Sequence, residues 1–383
     1  MAEPMAEQWR QSWLTVDLDA IRTNVSALAE LVAPSRLCAV VKADGYGHGA
    51  VPVALAARAG GAGWFGVALV EEGLQLRRGG ITEPVLVLSE QPPSGTAAAL
   101  DADLTVTVAS ASGIEAAAAW AQANRRVATV HLKVNTGMNR MGAELADAPG
   151  LARAIVSAEG LTLGGTWTHL ACADDRDSPV TAAQLAAFEE LLASLRAEGI
   201  DPGLVHAANS AAAIDVASAR FDLVRCGIAI YGIAPSTAMT TIADDLGLRP
   251  ALSLHSTVTA VRRVPAGTGI SYGHAGHTRT ASTIATIAVG YADGLPRRSG
   301  LTGGVVLVRG QRRPIIGVVT MDQTMVDCGD LDISVGEPVV LLGAQGDGRI
   351  TANEMGEQLS TIGYEIVCGL AGRLPRRSVA VAD

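Results

Sequence analysis

The sequence predicts an α/β protein in which an N-terminal (β/α)8, TIM-like barrel is followed by a C-terminal, mostly-β domain. Two patterns along the chain support this fold class. From residue 37 to about residue 232, short β-rich runs alternate with alanine-rich stretches of helical character, which is typical of βα units and a parallel sheet. Beyond residue 249 the chain changes to long alternating β-type runs, which indicate a separate β-domain.

Eight β-rich runs form the predicted barrel. Eight parallel strands with intervening helices is the number in a closed (β/α)8 barrel, where reactive residues lie at the C-terminal ends of the strands. An open, doubly wound sheet is the alternative architecture. We expect strands at residues 37–42, 64–68, 84–88, 104–108, 128–134, 161–168, 204–207 and 223–225.

The β-domain is predicted from apolar runs at residues 252–264, 283–289, 305–308 and 338–342. A short helix should interrupt it near Thr351, because Thr351 and Glu354 have the spacing of a capping box. The expected division is therefore a barrel domain at residues 1–243 and a β-domain at residues 244–383, with residues 1–12 packing on the β-domain.

The composition is that of a globular protein that acts on small molecules. Of the 383 residues, 17% are charged and 49% hydrophobic, and no apolar run approaches the ~20 residues of a membrane helix. The net charge of -9 and the scattered arginines argue against nucleic acid as a partner. The polar N-terminus carries no apolar signal core, so we expect a cytoplasmic location. Five cysteines without a Cys-x-x-Cys pair argue against a disulfide framework or a zinc cluster, and we expect no metal.

Lysine is rare in this chain. Only Lys42 and Lys133 occur, against 27 arginines, and each closes an apolar, strand-like run. An amine can lose its proton and attack a carbonyl or carbon dioxide, whereas a guanidinium stays protonated. His169, Asn209 and Arg225 also lie at or just after the ends of predicted strands. The five side chains therefore form a candidate reactive site at one end of the barrel.

One segment of the chain resembles a known family. The sequence VKADGYGHG at residues 41–49, which contains Lys42, is similar to the cofactor-lysine motif of the alanine racemases, pyridoxal-phosphate enzymes with a barrel and a β-domain. The resemblance continues in family order along the whole chain. Further matches are KVNTGMNR at 133–140, TH at 168–169, HAANS at 206–210, DLVRCGI at 222–228, SYGH at 271–274, GYADG at 290–294, MDQ at 321–323 and YE at 364–365.

The resemblance implies a racemase that interconverts L-alanine and D-alanine and supplies D-alanine for peptidoglycan. Racemisation removes the α-proton of an amino acid and returns one on the opposite face, so it needs an electron sink and two bases. In the family, pyridoxal 5'-phosphate is the sink, a lysine holds it as a Schiff base and acts as one base, and a tyrosine is the other. Lys42 and Tyr272 match those two residues.

The resemblance also assigns the residues that bind the cofactor. Arg225 matches an arginine that faces the pyridine nitrogen and leaves it largely unprotonated, which disfavours transamination. Ser210 and the Gly227 and Ile228 amides match groups that bind the phosphate. The full expected set is Lys42, Tyr46, His169, Asn209, Ser210, Arg225, Gly227, Ile228 and Tyr364.

Other matches concern the substrate and its surroundings. Arg140 and the Met321 main-chain amide match the groups that bind the substrate carboxylate in the family. Lys133 matches a lysine that is often carbamylated there and orients that arginine. Tyr291 and Asp322 lie in motifs that support the site from behind. In the family the β-domain of one subunit completes the barrel site of the other, so the resemblance also implies a homodimer.

Two residues depart from the family pattern. Asn135 stands where many members have aspartate, which removes a negative charge two residues from Lys133. Thr320 stands where many members have cysteine. We expect the first change to make the carbamate less certain than the Schiff base, and the second to alter contacts without altering the reaction.

Three alternative functions stay open. One is a serine or broad-specificity racemase of the same family; Tyr364 favours alanine by narrowing the site, but a methylene-sized difference is worth only ~1–3 kcal/mol. The second is a single-domain barrel that binds pyridoxal phosphate without turnover, against which the β-domain argues. The third is a decarboxylase of basic amino acids on the same two-domain plan, against which Tyr272 and Arg225 argue.

Overall fold

The computed structural model describes residues 10–379, and the chain divides into two compact units. One unit is Ala20–Arg249, and the other combines the residues up to Asp19 with those from Pro250 onward. Within the segment expected to pack on the β-domain, residues 1–9 lie outside the described part. Among the described residues, no helix has the length and apolar character needed to cross a membrane.

The unit Ala20–Arg249 is a nearly closed barrel of eight parallel strands, which confirms the predicted fold class. After β1 (Trp13–Asp17), which belongs to the other unit, come β2 (Arg36–Val40), β3 (Trp64–Val67), β4 (Val85–Val87), β5 (Thr105–Val108), β6 (Ala128–Asn135), the short β7 (Ala143–Glu144), β8 (Leu161–Trp167), β9 (Leu204–His206) and β10 (Leu223–Cys226). The pairing order is β10-β2-β3-β4-β5-β6-β8-β9, and β7 pairs beside β6. At the seam, the Asp222 amide donates to the Val205 carbonyl (3.0 Å).

Helices connect the strands. They are α1 (Leu18–Val32), α2 (Lys42–Tyr46), α3 (Ala50–Ala59), α4 (Val70–Arg78), α5 (Pro93–Asp101), α6 (Ala111–Asn124), α7 (Ala148–Ser157), α8 (Val180–Ala197), α9 (Ser210–Asp215) and α10 (Thr240–Asp245). In α1, the apolar residues Ile21, Val25 and Leu28 recur every three or four positions and are fully buried. The strands β3 and β4 are buried along their whole length, which explains their continuous apolar runs.

The last residue of the barrel unit is held by a side chain near its start. Asn24 donates to the Arg249 carbonyl (2.8 Å) and accepts from the Arg249 amide (2.8 Å). Both polar atoms of the buried Asn24 amide thus have a partner, and its nitrogen also donates to the Ile230 carbonyl (3.1 Å). The barrel unit therefore extends through α10 to Arg249, past the expected boundary at residue 243.

The second unit is mostly β-sheet. Its elements after β1 are β11 (Leu252–Val264), β12 (Gly269–Ile270), β13 (Gly276–His277), β14 (Ser282–Ile287), β15 (Val305–Val308), β16 (Gln311–Pro314), β17 (Thr324–Asp327), β18 (Pro338–Gln345), β19 (Gly348–Ile350), α11 (Ala352–Leu359), α12 (Gly363–Cys368) and β20 (Arg376–Val379). The main sheet has the order β16-β15-β18-β11-β1-β20. Thr351 caps α11 by accepting from the Glu354 amide (3.1 Å), as its spacing predicts.

The chain ends of the second unit meet in one sheet. β1 pairs antiparallel with β11, where Trp13 lies opposite His255, and parallel with β20, where Leu14 lies opposite Arg376. Just before β1, the Ser12 hydroxyl shares a buried hydrogen bond with the Ser256 hydroxyl (2.9 Å). The β-unit is therefore discontinuous in sequence, with the barrel unit inserted between its first and second strands.

Candidate active site

Lys42 lies just beyond β2, at the C-terminal end of a barrel strand, and its side chain is half-buried. The five residues that follow it form a left-handed turn with φ between 51° and 81°; they are Ala43, Asp44, Gly45, Tyr46 and Gly47. This conformation costs about 1–2 kcal/mol for a residue with a side chain. The strand expected at residues 37–42 therefore ends at Val40, because the backbone turns directly after it.

Glu72 holds this turn in place. Its Oε1 accepts a hydrogen bond from the Ala43 amide (2.6 Å), and its Oε2 accepts from the amides of Ala68 (2.8 Å) and Leu69 (3.0 Å). One carboxylate thus caps α4 and anchors the strained residue next to Lys42. Glu72 is not among the sequence-predicted site residues, although a glutamate in the first turn of a helix that follows a barrel strand is a signal for such a cap.

Asn209 begins the helix that follows β9. Its Oδ1 accepts from the Ala212 amide (3.1 Å), and its Nδ2 donates to the Leu170 carbonyl (3.2 Å). Asn209 therefore caps α9 and ties it to the loop after β8. Because Asn209 is the cap, the hydroxyl of Ser210, the first residue of α9, makes a different contact.

The Ser210 hydroxyl joins α9 to the loop after β10. Its Oγ accepts from the Gly227 amide (2.9 Å) and the Ala229 amide (3.4 Å). A Cβ on Gly227 would lie 2.5 Å from the Tyr46 hydroxyl, so only glycine lets that hydroxyl come so near. Ile228 is buried in the same loop. Two hydroxyls and two backbone amides thus converge at one end of the barrel.

Arg225 lies on β10 and is 3% exposed. Its terminal nitrogens donate to the carbonyls of Thr168 (2.8 Å) and Ala207 (3.0 Å) and face Nδ1 of His206 (2.8 Å) and Nδ1 of His169 (3.2 Å). All four partners are uncharged groups, because burial and then the Arg225 charge hold the pKa of each histidine well below its ordinary value. Burial lowers the pKa of Arg225 to about 10, so the guanidinium keeps its charge at neutral pH.

Lys133 lies on β6, and it is 4% exposed. Its Nζ stands 4.2 Å from the centre of the Trp167 ring and donates to the Leu88 carbonyl (3.3 Å). The guanidinium carbon of Arg225 lies 4.6 Å from the centre of the same ring. The Trp167 ring thus contacts both the Lys133 amine and the Arg225 guanidinium. The face of an aromatic ring favours positive charge, and no carboxylate is among the partners named here.

Four predicted site residues act on one another electrostatically. Burial, followed by the charges of Arg140, Arg225 and Lys42, lowers the pKa of Lys133 to about 7. Lys133, Arg140 and His169 also line one small cavity. The structure therefore brings the lysines, Arg140, His169 and Arg225 together at one end of the barrel.

Asn135 organises the loop that carries Arg140. Its Oδ1 accepts from the amides of Gly137 (3.2 Å) and Asn139 (2.9 Å), and its Nδ2 donates to Glu144 Oε1 (3.1 Å). An aspartate could accept the same two amides but would oppose the Glu144 carboxylate. Asn135, which departs from the family pattern, thus suits the Glu144 carboxylate that accepts its hydrogen bond.

Gln184 ties the loops after β6 and β8 together, although it is not among the sequence-predicted residues. Its Nε2 donates to the Thr136 hydroxyl (3.1 Å) and the His169 carbonyl (3.1 Å), and its Oε1 accepts from the Ala171 amide (2.8 Å). Gln184 is 2% exposed on α8. No sequence signal marks Gln184, because the burial of its amide appears only in the folded chain.

The remaining predicted residues lie in the β-unit. Tyr272 follows Ser271, whose φ is 67° and whose hydroxyl donates to the Val318 carbonyl (2.6 Å). The side chain of Tyr272 is 71% exposed and that of Met321 is 53% exposed. Tyr364 is half-buried in α12.

The loop with Tyr291 and the loop with Met321 are joined through their backbones. The Ala292 amide donates to the Met321 carbonyl (3.0 Å), and the Tyr291 amide donates to the Thr320 carbonyl (2.9 Å). A Cβ on Gly290 would lie 2.2 Å from the Met321 carbonyl oxygen, so glycine is required there. The hydroxyl of Thr320 donates to the Gln323 carbonyl (2.8 Å) and closes the turn around Met321.

Arg373 fixes both loops from behind. Its Nε donates to the fully buried carboxylate of Asp293 (2.5 Å), and a terminal nitrogen donates to Asp322 (2.6 Å). Arg10 forms a second ion pair with Asp293. Asp322, expected to support the site from behind, accepts from Arg373, a residue that was not among the sequence-predicted ones. The buried carboxylate is compensated by two cations, as burial of a charge requires.

Family models match almost all of the chain. The model of the N-terminal domain of alanine racemase matches residues 16–235, and the model of its C-terminal domain matches residues 251–378. The chain is 46% identical over 368 residues to the alanine racemase of Symbiobacterium thermophilum, covering 96% of this chain and 97% of that protein. It is 44% identical over 364 residues to that of Thermobifida fusca, covering 94% and 96%.

Solved structures give the same result. The crystal structure of alanine racemase from D-cycloserine-producing Streptomyces lavendulae superimposes with a TM-score of 0.93 at 40% identity, covering 98% of each chain. That of alanine racemase from Bacillus anthracis with bound L-Ala-P superimposes with a TM-score of 0.90 at 40% identity, covering 98% of this chain and 96% of that one.

Proposed function

The chain belongs to the alanine racemase family, and from this we infer that it is an isomerase that interconverts L-alanine and D-alanine with pyridoxal 5'-phosphate as cofactor. The observation that carries the inference is the group of three cations at one end of the barrel, namely Arg140, Arg225 and Lys42, whose charges lower the pKa of Lys133. Such a concentration of positive charge suits a site that binds a phosphate and a carboxylate together.

The barrel residues fit pyridoxal phosphate. The Ser210 and Tyr46 hydroxyls and the Gly227 amide converge on one point, a set of donors suited to a phosphate. We propose that these groups, with Ile228 and Tyr364, hold the phosphate and that Asn209 fixes the helix that presents Ser210. Lys42 would hold the cofactor covalently, which an arginine could not do because it does not give up its proton.

We propose that Lys42 and Tyr272 move the proton. When bound, pyridoxal phosphate supplies a conjugated ring that takes up the electron pair left by the departing α-proton. The Lys42 amine would accept or return the proton on one face of the substrate, and the Tyr272 hydroxyl on the other. Both must exchange their roles for the reverse reaction, because racemisation runs in both directions.

Arg225 would face the ring nitrogen of the cofactor. Its guanidinium holds its protons tightly even at its lowered pKa of about 10, so it donates a hydrogen bond without protonating that nitrogen. His169 and His206 are uncharged acceptors and cannot take its proton at neutral pH. We propose that this arrangement disfavours transamination.

Two loops would hold the substrate carboxylate. We propose that Arg140 of the barrel loop and the main-chain amide of the partner subunit's Met321 bind it. Asn135 and Gln184 support the loop of Arg140, and Arg373 supports that of Met321 through Asp322. Positioning of this kind lowers the entropic part of the barrier.

We propose that Lys133 is carbamylated. Its pKa near 7 leaves much of the amine uncharged at neutral pH, and only the uncharged amine attacks carbon dioxide. The step converts Lys-NH2 and CO2 into Lys-NH-COO⁻ and a released proton, and the new anion would lie beside the Arg140 charge. Asn135, which stands where many family members have aspartate, is bonded to the Arg140 loop and to Glu144.

Carbon-13 NMR with labelled bicarbonate tests the carbamate. At pH 8 the wild-type protein is expected to give a carbamate signal that Lys133→Gln lacks and Lys42→Ala retains. The signal should weaken as the pH falls below about 7, because protonation then removes the reactive amine. A wild-type spectrum without the signal, at saturating bicarbonate, contradicts the proposal.

We further propose a homodimer whose two sites are each shared between subunits. The support is that Tyr272, Tyr291 and Met321, all expected at the site, are exposed on the single chain, as are Leu301 and Ile362 of the same unit. Exposed apolar residues of this kind favour a protein partner. Supply of D-alanine for peptidoglycan, and a cytoplasmic location, stay predictions from the family resemblance and the sequence.

Incubating the purified, cofactor-loaded protein with L-alanine and separately with L-serine tests the proposed function. We expect D-alanine to appear, measured by chiral chromatography, until the two enantiomers are equal. Faster turnover of serine than of alanine would show that serine is the preferred substrate. Release of carbon dioxide from a basic amino acid would indicate a decarboxylase. A cofactor-loaded protein that changes no amino acid would leave only a binding role.

A further inference from the structure

Arg225 is the first member of a row of three hydrogen-bonded side chains inside the barrel. One terminal nitrogen of Arg225 lies 2.8 Å from His206 Nδ1, and His206 Nε2 lies 3.0 Å from His131 Nδ1. All three residues are buried, with both histidines fully inaccessible. The second histidine, His131, is connected to Arg225 through the His206 ring.

The direction of every proton in this row follows from Arg225. A guanidinium can only donate, so His206 Nδ1 must be the bare, accepting nitrogen. A neutral His206 then carries its proton on Nε2 and donates to His131 Nδ1. His131, also neutral, carries its own proton on Nε2, which has no hydrogen-bond partner among the described residues. Burial and then the Arg225 charge lower the pKa of His131 to about 3, in agreement with this neutral form.

The surrounding residues keep both rings in this orientation. The Trp167 ring stacks on His206 with 5.4 Å between centroids and 10° between planes, and the Trp64 ring contacts His131 at 5.6 Å. A Cβ on Gly165 would lie 2.7 Å from His131 Nδ1, so glycine is needed for the His131 ring to lie there. These contacts hold both rings in place, with His206 Nε2 directed at His131 Nδ1.

We propose that His131 is a positioning residue: it accepts a hydrogen bond from the His206 Nε2-H that Arg225 imposes, and so holds His206, and through it Arg225, in place for the cofactor ring. The opposite tautomer would set the Nδ1-H of His206 against an N-H of Arg225 at 2.8 Å, which breaks a buried hydrogen bond to a charged group. Arg225 thus excludes that tautomer, and His131 gives the remaining His206 proton, on Nε2, a buried acceptor. This inference rests on the proposed function for its effect on catalysis, but the tautomer itself does not.

Nitrogen-15 NMR of the histidine side chains tests the tautomer in the cofactor-free protein, independently of any activity. The chain has seven histidines, so the His206 signal can be assigned by its absence in His206→Asn. We expect His206 to be the Nε2-H tautomer in the wild type. We expect the same tautomer in His131→Asn, because the asparagine Oδ1 replaces the accepting Nδ1, and in His131→Leu a changed chemical shift of His206 Nε2 that reports the loss of its hydrogen-bond acceptor. A wild-type His206 protonated on Nδ1 overturns the proposal, whether or not any variant folds.

Kinetics and the cofactor spectrum test the consequence. In His131→Leu we expect kcat for alanine to fall roughly 10- to 100-fold, with a changed absorption band of the bound cofactor, and His131→Asn to restore both. In a His206→Asn background, where the acceptor for Arg225 no longer depends on a tautomer, His131→Leu should add little further loss. Equal losses in the Asn and Leu variants would show a packing role and overturn the proposal. If the wild type does not racemise alanine, the proposed function fails while the tautomer result still stands.

Discussion

Lys42→Ala is expected to lower alanine racemisation at least about 1000-fold, because it removes both the amine that holds the cofactor and one of the two bases. Chiral chromatography measures the rate. Borohydride reduction of the wild-type protein should fix the cofactor on the peptide that contains Lys42, as read by mass spectrometry, and the variant should carry none. The left-handed turn after Lys42 is held by Glu72, so we expect the fold to survive.

Lys42→Arg is the matched control. It keeps the positive charge at the end of β2 but cannot form the covalent link. We expect it to be as inactive as the alanine variant, since charge alone does not supply a base. Either variant turning over alanine at a rate near that of the wild type would contradict the role of Lys42, and reduced cofactor on Lys133 in the wild type would reassign that role.

Tyr272→Phe is expected to reduce kcat for racemisation 10²- to 10⁴-fold in both directions, the usual range for loss of one acid–base group. Because Tyr272 is 71% exposed, removing its hydroxyl should leave thermal unfolding unchanged. Proton NMR in D2O measures exchange of the α-proton for each alanine enantiomer separately, and so tests the two faces of the substrate one at a time. Lys42 should still exchange the α-proton of one enantiomer without inverting it, while exchange of the other is lost. Loss of exchange for both enantiomers, or for neither, would contradict a two-base mechanism.

Mixing the two inactive variants extends this test to the shared site. If Tyr272 of one subunit serves Lys42 of the other, a dimer of one Lys42→Ala and one Tyr272→Phe chain contains one intact site and one with both changes. After equilibration at equal amounts we expect about a quarter of the wild-type activity to return. If no activity returns although subunit exchange is demonstrated by mass, each site is built from a single chain.

The fold was largely predictable because its signals are periodic and local. All eight barrel strands lie where the β-rich runs indicate, and β11 and β15 have the expected bounds. The strand containing Lys42 was predicted two residues too long, because hydrophobicity does not reveal that the backbone turns left-handed at Ala43. β1 was assigned to no strand, since its partners β11 and β20 are more than 200 residues away and pairing at that distance leaves no local pattern.

The site was predictable wherever a residue acts directly and hard to predict where it acts through another. Lys42 and Arg225 were found from their residue types at strand ends and from the family motifs. The sequence did not predict three supporting residues, Glu72, Gln184 and His131, because each acts through contacts with residues distant in sequence. A glutamate or a glutamine in a helix is ordinary in composition, and only the folded chain shows which amide or carbonyl it meets.

The inserted barrel has a consequence for synthesis of the chain. During translation, β1 emerges first and must wait for β11 and β20, while residues 20–249 can collapse around their own core in the interval. The β-unit can complete its fold only when Arg373 and β20 have left the ribosome. Only then does the buried Asp293 carboxylate have Arg373 as its second cation, beside Arg10. Pairing in the main sheet of the β-unit is therefore completed only after β20 has been made, long after the barrel residues have left the ribosome.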